Sequence, residues 1–101
     1  MDIQISIIIV NFNTSELLKD CLNSIYSDHD SPSSEIIVID NDSRDDSVKM
    51  LKSCFPNVKL ILNNQNIGFA AANNQGLKIA QGKYIWLLNP DTVVFTGCLS
   101  K

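Results

Sequence analysis

Four short, largely apolar runs punctuate the chain: Ile3 to Val10, Glu35 to Asp40, Val58 to Leu62 and Lys83 to Leu88. They alternate with segments of helical periodicity, and no other feature restricts the fold as strongly. The first two runs place β-branched residues at successive positions, so both faces of each strand need cover, which is the condition of an inner strand in a parallel sheet. After the first strand, Asn13 with Glu16 three residues on resembles a capping box, and Leu17, Leu18, Cys21, Leu22 and Ile25 recur at helical spacing. Asp28 to Ser34, with Pro32, reads as a loop.

After the second strand, Asp42 or Ser43 is expected to cap a helix that turns Val48, Leu51 and Phe55 inward and stops at Pro56. A polar loop from Asn63 to Ile67 leads into an Ala-rich helix over Gly68 to Gln81, with Gly82 as its expected C-terminal cap. The pattern βαβαβαβ with short connections predicts a doubly wound, mostly parallel α/β sheet with helices on both faces and strand order 3-2-1-4. At 101 residues, with no repeat, low-complexity tract or linker, one domain is the economical expectation.

Composition narrows the function classes. A formal charge of -3 lacks the basic surface that phosphate-backbone binding requires, so a dedicated nucleic-acid binder is disfavoured. No apolar run approaches the roughly 20 residues of a membrane span, and the first run has neither a basic flank nor a small-residue cleavage site. The expected location is the cytoplasm, with peripheral contact at the inner membrane. Cys21, Cys54 and Cys98 show no zinc-ligand spacing with the single histidine, His29, and read as reduced, mostly buried thiols.

In open α/β sheets ligands bind beyond the carboxyl ends of the strands. Here those ends carry Asn11-Phe12-Asn13, Asp40-Asn41-Asp42-Ser43, Asn63-Asn64-Gln65-Asn66 and Asn89-Pro90-Asp91. Polar residues also suit turns, but four coincident clusters make one edge of the sheet the candidate site. Neither G-x-G-x-x-G nor a P-loop follows strand one, which counts against a dinucleotide fold and a P-loop NTPase. Lys and Arg are scarce in these loops, so a bound diphosphate calls for a divalent cation, Mg²⁺ or Mn²⁺, held by carboxylate. Asp91, at the end of strand four, is the natural ligand. A phosphoacceptor receiver domain would place acids where Asn11 and Asn13 stand, and a nucleotidylyltransferase would show a Gly-rich basic loop after strand one.

The order V-N-F-N, I-D-N-D-S, N-x-G-F-A-A-A-N-N-x-G and L-L-N-P-D-T resembles the family 2 glycosyltransferases of GT-A fold, with rhamnosyltransferase-type members as the nearest subgroup. The resemblance runs from Ile5 to Gly97. It implies a Rossmann-like N-terminal half that binds a dTDP- or UDP-sugar. The backbone of Val10, Asn11 and Phe12 and the Asp40 carboxylate would contact the base, with Asp40 accepting from a pyrimidine ring N–H and so favouring uracil or thymine over cytosine. Asp42 would lie near the ribose or base edge, with helix capping as its compatible alternative. Asn66, Gly68 and Asn74 would belong to the donor-side loop and helix. Asp91 is similar to the metal-binding second aspartate of the family's D-x-D. Asn89 stands where many members have aspartate and would hydrogen-bond a ribose hydroxyl.

The implied reaction is inverting sugar transfer to a saccharide or lipid-linked acceptor in polysaccharide biosynthesis. The family places the catalytic base and the acceptor site beyond strand four, so these residues are expected to form the donor-binding half of a longer enzyme and to be inactive alone. A non-catalytic nucleotide-binding or assembly module is the alternative. With strand four at an edge and carrying Trp86, self-association is a further expectation.

Overall fold

The computed structural model describes residues 3–27 and 33–90. Its elements follow the expected order: β1 (Ile5–Asn11), α1 (Ser15–Tyr26), β2 (Ser34–Asn41), α2 (Ser47–Cys54), β3 (Lys59–Asn63), α3 (Phe69–Ile79) and β4 (Tyr84–Leu88). All pairings are parallel and the strand order is β3-β2-β1-β4, as the alternation predicts. Ile7 lies opposite Ile36 on one side and Trp86 on the other, so the register sets like against like across the centre of the sheet.

Both faces of β1 and β2 are covered, which is why their sequences do not alternate. Ile7, Ile9, Ile36 and Val38 face α1 and α2, where Leu18, Cys21, Leu22, Leu51 and Phe55 close one core. Ile8, Val10, Ile37 and Ile39 face α3 and pack with Ala72 in a second, smaller one. The two cores are separated by the sheet itself, the arrangement of a doubly wound fold.

Several boundaries differ from the sequence expectation. The N-cap of α1 is Thr14, not Asn13, and makes no side-chain capping bond. Asn13 instead adopts φ 54 in the turn, a conformation Asn tolerates better than most residues. The second helix begins after Asp46, later than the expected Asp42 or Ser43, because Asp42 has φ 61 and the chain must first turn out of β2. Within α2, Met50 and Leu51 are buried while Val48 is half-buried. Helix α3 ends at Ile79 with extended Ala80 as its C-cap, so Gly82 does not cap it. Gly82 packs against β1 instead: a Cβ there would stand 2.5 Å from the Ser6 backbone nitrogen. Of the cysteines, Cys21 is buried and Cys54 is exposed, against the expectation of mostly buried thiols. His29 and Cys98 lie outside the described residues.

Candidate functional site

The carboxyl ends of β1 and β2 are held together by a network of side-chain bonds that the turn sequences supply. Asp40, 2% exposed, accepts from Asn11 Nδ2 (2.9 Å) and Ser43 Oγ (2.7 Å) on Oδ1 and from the Ser43 backbone N–H (2.9 Å) on Oδ2. The Ser43 hydroxyl in turn accepts from the Asn13 backbone N–H at 2.9 Å, and Asn13 Oδ1 accepts from the Arg44 N–H at 2.6 Å. Thr14 Oγ1 donates to Asn11 Oδ1 at 2.5 Å. Each loop therefore satisfies the other's backbone, which fixes the spacing of the two strand ends without any regular structure beyond them.

Asp45 completes the brace. Its Oδ2 accepts from the Ser15 N–H (3.1 Å) at the start of α1, and its Oδ1 accepts from the Ser47 N–H (3.0 Å) and hydroxyl at the start of α2. Burial pushes this carboxyl up, but the hydrogen bonds from Ser47 and Ser15 outweigh it and hold Asp45 below the ordinary aspartate range. One side chain thus serves the two helix starts that the sequence assigned to local caps.

Beside this brace, at the carboxyl ends of the strands, lies an open cleft of about 380 Å³. Val10, Phe12, Thr14 and Leu17 form the wall from β1 and α1. Asn41, Asn66 and Phe69 form the wall from β2 and the start of α3, and Asn89 with Pro90 closes the β4 side. Phe12 and Phe69 are 45% and 56% exposed, two aromatic rings left open to one cavity. No lysine, arginine or carboxylate lines it among the described residues.

Four of the expected site residues, Val10, Phe12, Asn66 and Asn89, therefore meet at one place. Asn11 and Asp40 lie behind the wall, in the brace. Asp42 stays beside it, ion-paired to Arg44 at 3.1 Å on the surface. Gly68, with φ 89, starts α3 next to Phe69, and its N–H is bonded by Asn66 Oδ1 at 2.9 Å. Asn74 is exposed on α3 and does not line the cleft, whereas its neighbour Asn73 is 6% exposed. Asp91 lies outside the described residues, and among those described no group of three His, Cys, Asp or Glu could hold a metal ion.

Sequence reasoning placed Asn41 and Pro90 on the polar rim without a role for either, and missed Thr14, Leu17 and Phe69 as lining residues. The signal for Asn41 was present in strand parity: Asp40 shares a face with Ile36 and Val38, so the next residue must share the α3 face with Ile37 and Ile39. There Asn41 is 2% exposed, donates Nδ2 to the Gly68 carbonyl (3.3 Å) and accepts on Oδ1 from Asn63 Nδ2 (2.9 Å).

Known proteins resemble the chain in sequence and in fold. Glycosyltransferase SunS of Bacillus subtilis strain 168, prophage-derived, is 33% identical over 85 residues, covering 84% of this chain and 19% of SunS. The crystal structure of S. aureus TarS 1-349 superposes with a TM-score of 0.87 at 23% identity, over 97% of this chain and 30% of that one. A second TarS 1-349 structure, in complex with UDP-GlcNAc, gives a TM-score of 0.83. The mannosyltransferase PcManGT of Pyrobaculum calidifontis, in complex with GDP-Man and Mn²⁺, gives 0.72 at 22% identity, over 92% of this chain and 29% of that one. The fold is thus the Rossmann-like GT-A arrangement, and the chain spans less than a third of each of these proteins. The family model for Glycosyl transferase family 2 matches residues 6–101, from β1 through the braced loops, the cleft walls and beyond, and the chain belongs to that family.

Proposed function

We propose that the cleft binds the nucleotide of a sugar nucleotide, and that the chain contributes the donor side of an inverting glycosyltransferase. The observation that carries this reading is the cleft itself: two open phenylalanine rings and a row of amides at the carboxyl ends of a parallel sheet. A flat base suits the rings, and amides hydrogen-bond base edges and ribose hydroxyls. UDP-GlcNAc and GDP-Man in the related TarS and PcManGT structures support the ligand class.

The donor proposed is a dTDP- or UDP-sugar, with rhamnose as the sugar on the strength of the Asn89-Pro90-Asp91 order. Of the neighbouring side chains at the end of β2, Asn41 lines the cleft, and it is proposed to meet the base edge. Asp40 is proposed to act mainly by holding Asn11 and Ser43, with the acceptor capacity left on Oδ2 available to a ring N–H. Asn89, exposed on the opposite wall, would bond a ribose hydroxyl.

A diphosphate in a wall without cationic side chains needs a counter-charge, which supports Mg²⁺ or Mn²⁺ bound through Asp91, a hard oxygen donor. Such an ion would stabilise the departing nucleoside diphosphate. The catalytic base and the saccharide or lipid-linked acceptor are proposed to belong to residues outside these 101.

Titration calorimetry of UDP, dTDP and GDP, with and without Mn²⁺, tests the proposal. The expected result is tighter binding of UDP or dTDP than GDP, strengthened by Mn²⁺ about tenfold or more, and loss of that metal effect in Asp91→Ala. Heat signals absent for all three nucleotides would remove the donor-site reading.

A further inference from the structure

The turn that carries Phe12 onto the cleft wall is held from behind by a loop that gives the cleft no side chain. Of residues 42–46, between β2 and α2, none lines the cavity. The Ser43 hydroxyl nevertheless reaches both neighbours of Phe12, accepting from Asn11 Nδ2 at 3.2 Å and from the Asn13 backbone N–H at 2.9 Å. Its own hydrogen goes to Asp40 Oδ1 at 2.7 Å. A hydroxyl has one hydrogen and two lone pairs, and all three are used here.

The backbone beside Phe12 makes that grip matter. Asn13 stands at φ 54, in the left-handed region, which a residue other than glycine keeps only where its surroundings hold it. Two bonds do so: the N–H to Ser43, and the bond that Asn13 Oδ1 accepts from the Arg44 N–H at 2.6 Å. Two residues further on, the Ser15 N–H is fastened to Asp45 Oδ2. Phe12 itself is 45% exposed, so packing leaves nearly half of its ring free, and the course of the chain on either side decides where it stands.

We infer that Ser43 is a positioning residue whose hydroxyl sets the place of the Phe12 ring on the cleft wall and, through that ring, the affinity for the nucleotide. The inference rests on the proposal that the cleft binds a nucleotide with its base against the rings. Flat rings attract one another in offset or edge-on arrangements with centroids about 4.5–7 Å apart, so a ring that drifts from its place loses the contact. Ser43 does not line the cleft. Its hydroxyl can reach the base only by way of Phe12 or by way of Asp40, and the two routes are separable.

Ser43→Ala removes the hydroxyl and little else. It releases the Asn13 N–H and the Asn11 amide together, and the turn between them is then free to leave its left-handed residue. If the effect on a ligand passes through the Phe12 ring, it exists only while the ring is present. A double-mutant cycle with Phe12→Ala reads that dependence directly. An effect that passes through Asp40 would persist without the ring.

Calorimetry of UDP on the wild-type chain, Phe12→Ala, Ser43→Ala and the double variant, each checked for folding by circular dichroism melts, tests the inference. Phe12→Ala is expected to weaken UDP about tenfold and Ser43→Ala about fivefold, while the double variant stays within about twofold of Phe12→Ala alone. If Ser43→Ala fails to fold, Asn13→Ala takes its place in the same cycle: Asn13 is exposed, and the substitution removes its bond to Arg44 and disfavours its left-handed backbone. A purely structural role would lower the melting temperature in both backgrounds and leave UDP affinity unchanged. That result, or losses that multiply in the double variant, or a Phe12→Ala that binds UDP as the wild type does, overturns the inference. Failure of the wild type to bind UDP overturns the donor-site proposal beneath it, and the inference with it.

Discussion

Glu35 enters the sheet at the end opposite the cleft, and its carboxylate is a hub. Oε2 accepts from the Ser6 hydroxyl and from the Gln81 backbone N–H, and Oε1 takes Lys59 Nζ, while the side chain is only 5% exposed. One carboxylate thereby ties β1, β2, β3 and the segment leading into β4. Burial raises its pKa, but the bonds from Lys59, Ser6 and Gln81 and the Lys59 charge outweigh burial and leave it lowered. A carboxyl whose folded-state pKa is depressed contributes stability that is complete above its unfolded value, about pH 4.3, and is lost as pH falls through the folded value. Chemical denaturation at a series of pH values is expected to show that acid limb in the wild type and a flattened one in Glu35→Gln. At pH 7 the variant should be less stable by about 2 kcal/mol, the cost of leaving buried donors poorly matched. Equal acid slopes in the two proteins would refute the assignment. The sequence placed Glu35 in a buried strand but held no hint of its partners, which come from three other elements far along the chain.

Elements were legible where their signal is periodic and obscure where it is a long-range bond. β1 and β2 announce themselves because both faces are covered, so runs such as Ile7-Ile8-Ile9 and Ile36-Ile37-Val38-Ile39 have no other economical home. Helix α1 is legible from the spacing of Leu18, Cys21, Leu22 and Ile25, all buried. Helix starts were misplaced because the donor at the head of α1, the Ser15 N–H, is satisfied by Asp45, thirty residues on, and no local motif encodes that. The same logic explains Asn41, hidden beside a more conspicuous aspartate until the register assigned their faces. Gly82 illustrates the opposite error, a helix-stop residue by pattern that serves close packing in fact. Its N–H donates to Ser6 Oγ at 2.7 Å, and a Cβ would stand 2.5 Å from the Ser6 nitrogen and 2.7 Å from the Ile5 carbonyl carbon. Backbone atoms inside a paired strand cannot yield as a flexible side chain can. Gly82→Ala is therefore expected to destabilise the fold by about 2 kcal/mol, within the range for overpacking, and to lower Tm by roughly 10 °C. A thermal melt superimposable on the wild type would show that Gly82 does not set this approach.

At the scale of the whole sheet, one side is left uncovered among the described residues. Helix α3 packs on β1 and β2, and among the described residues β4 is an edge strand that pairs with β1 alone. Trp86 and Leu88 turn toward the α1 and α2 core, but Ile85 and Leu87, on the α3 face, are 43% and 49% exposed, and Tyr84 is 61% exposed. An edge strand offers a row of unpaired backbone groups, and here no lysine, bulge or proline within Tyr84–Leu88 blunts it. A two-fold axis beside β4 would set two copies of the strand antiparallel and join the sheets of both molecules. Five residues supply few backbone bonds, so the affinity would come chiefly from Ile85 and Leu87, each worth on the order of 1 kcal/mol when its exposed half is covered. Such a contact favours weak, concentration-dependent association and not an obligate dimer. Light scattering on the 101-residue chain is thus expected to give a mass that rises above the monomer with concentration, and Ile85→Lys with Leu87→Lys to return it to the monomer, because a buried lysine pair opposes its own symmetry mate. A wild type that stays monomeric across micromolar concentrations would mean that the exposed face of β4 does not drive self-association.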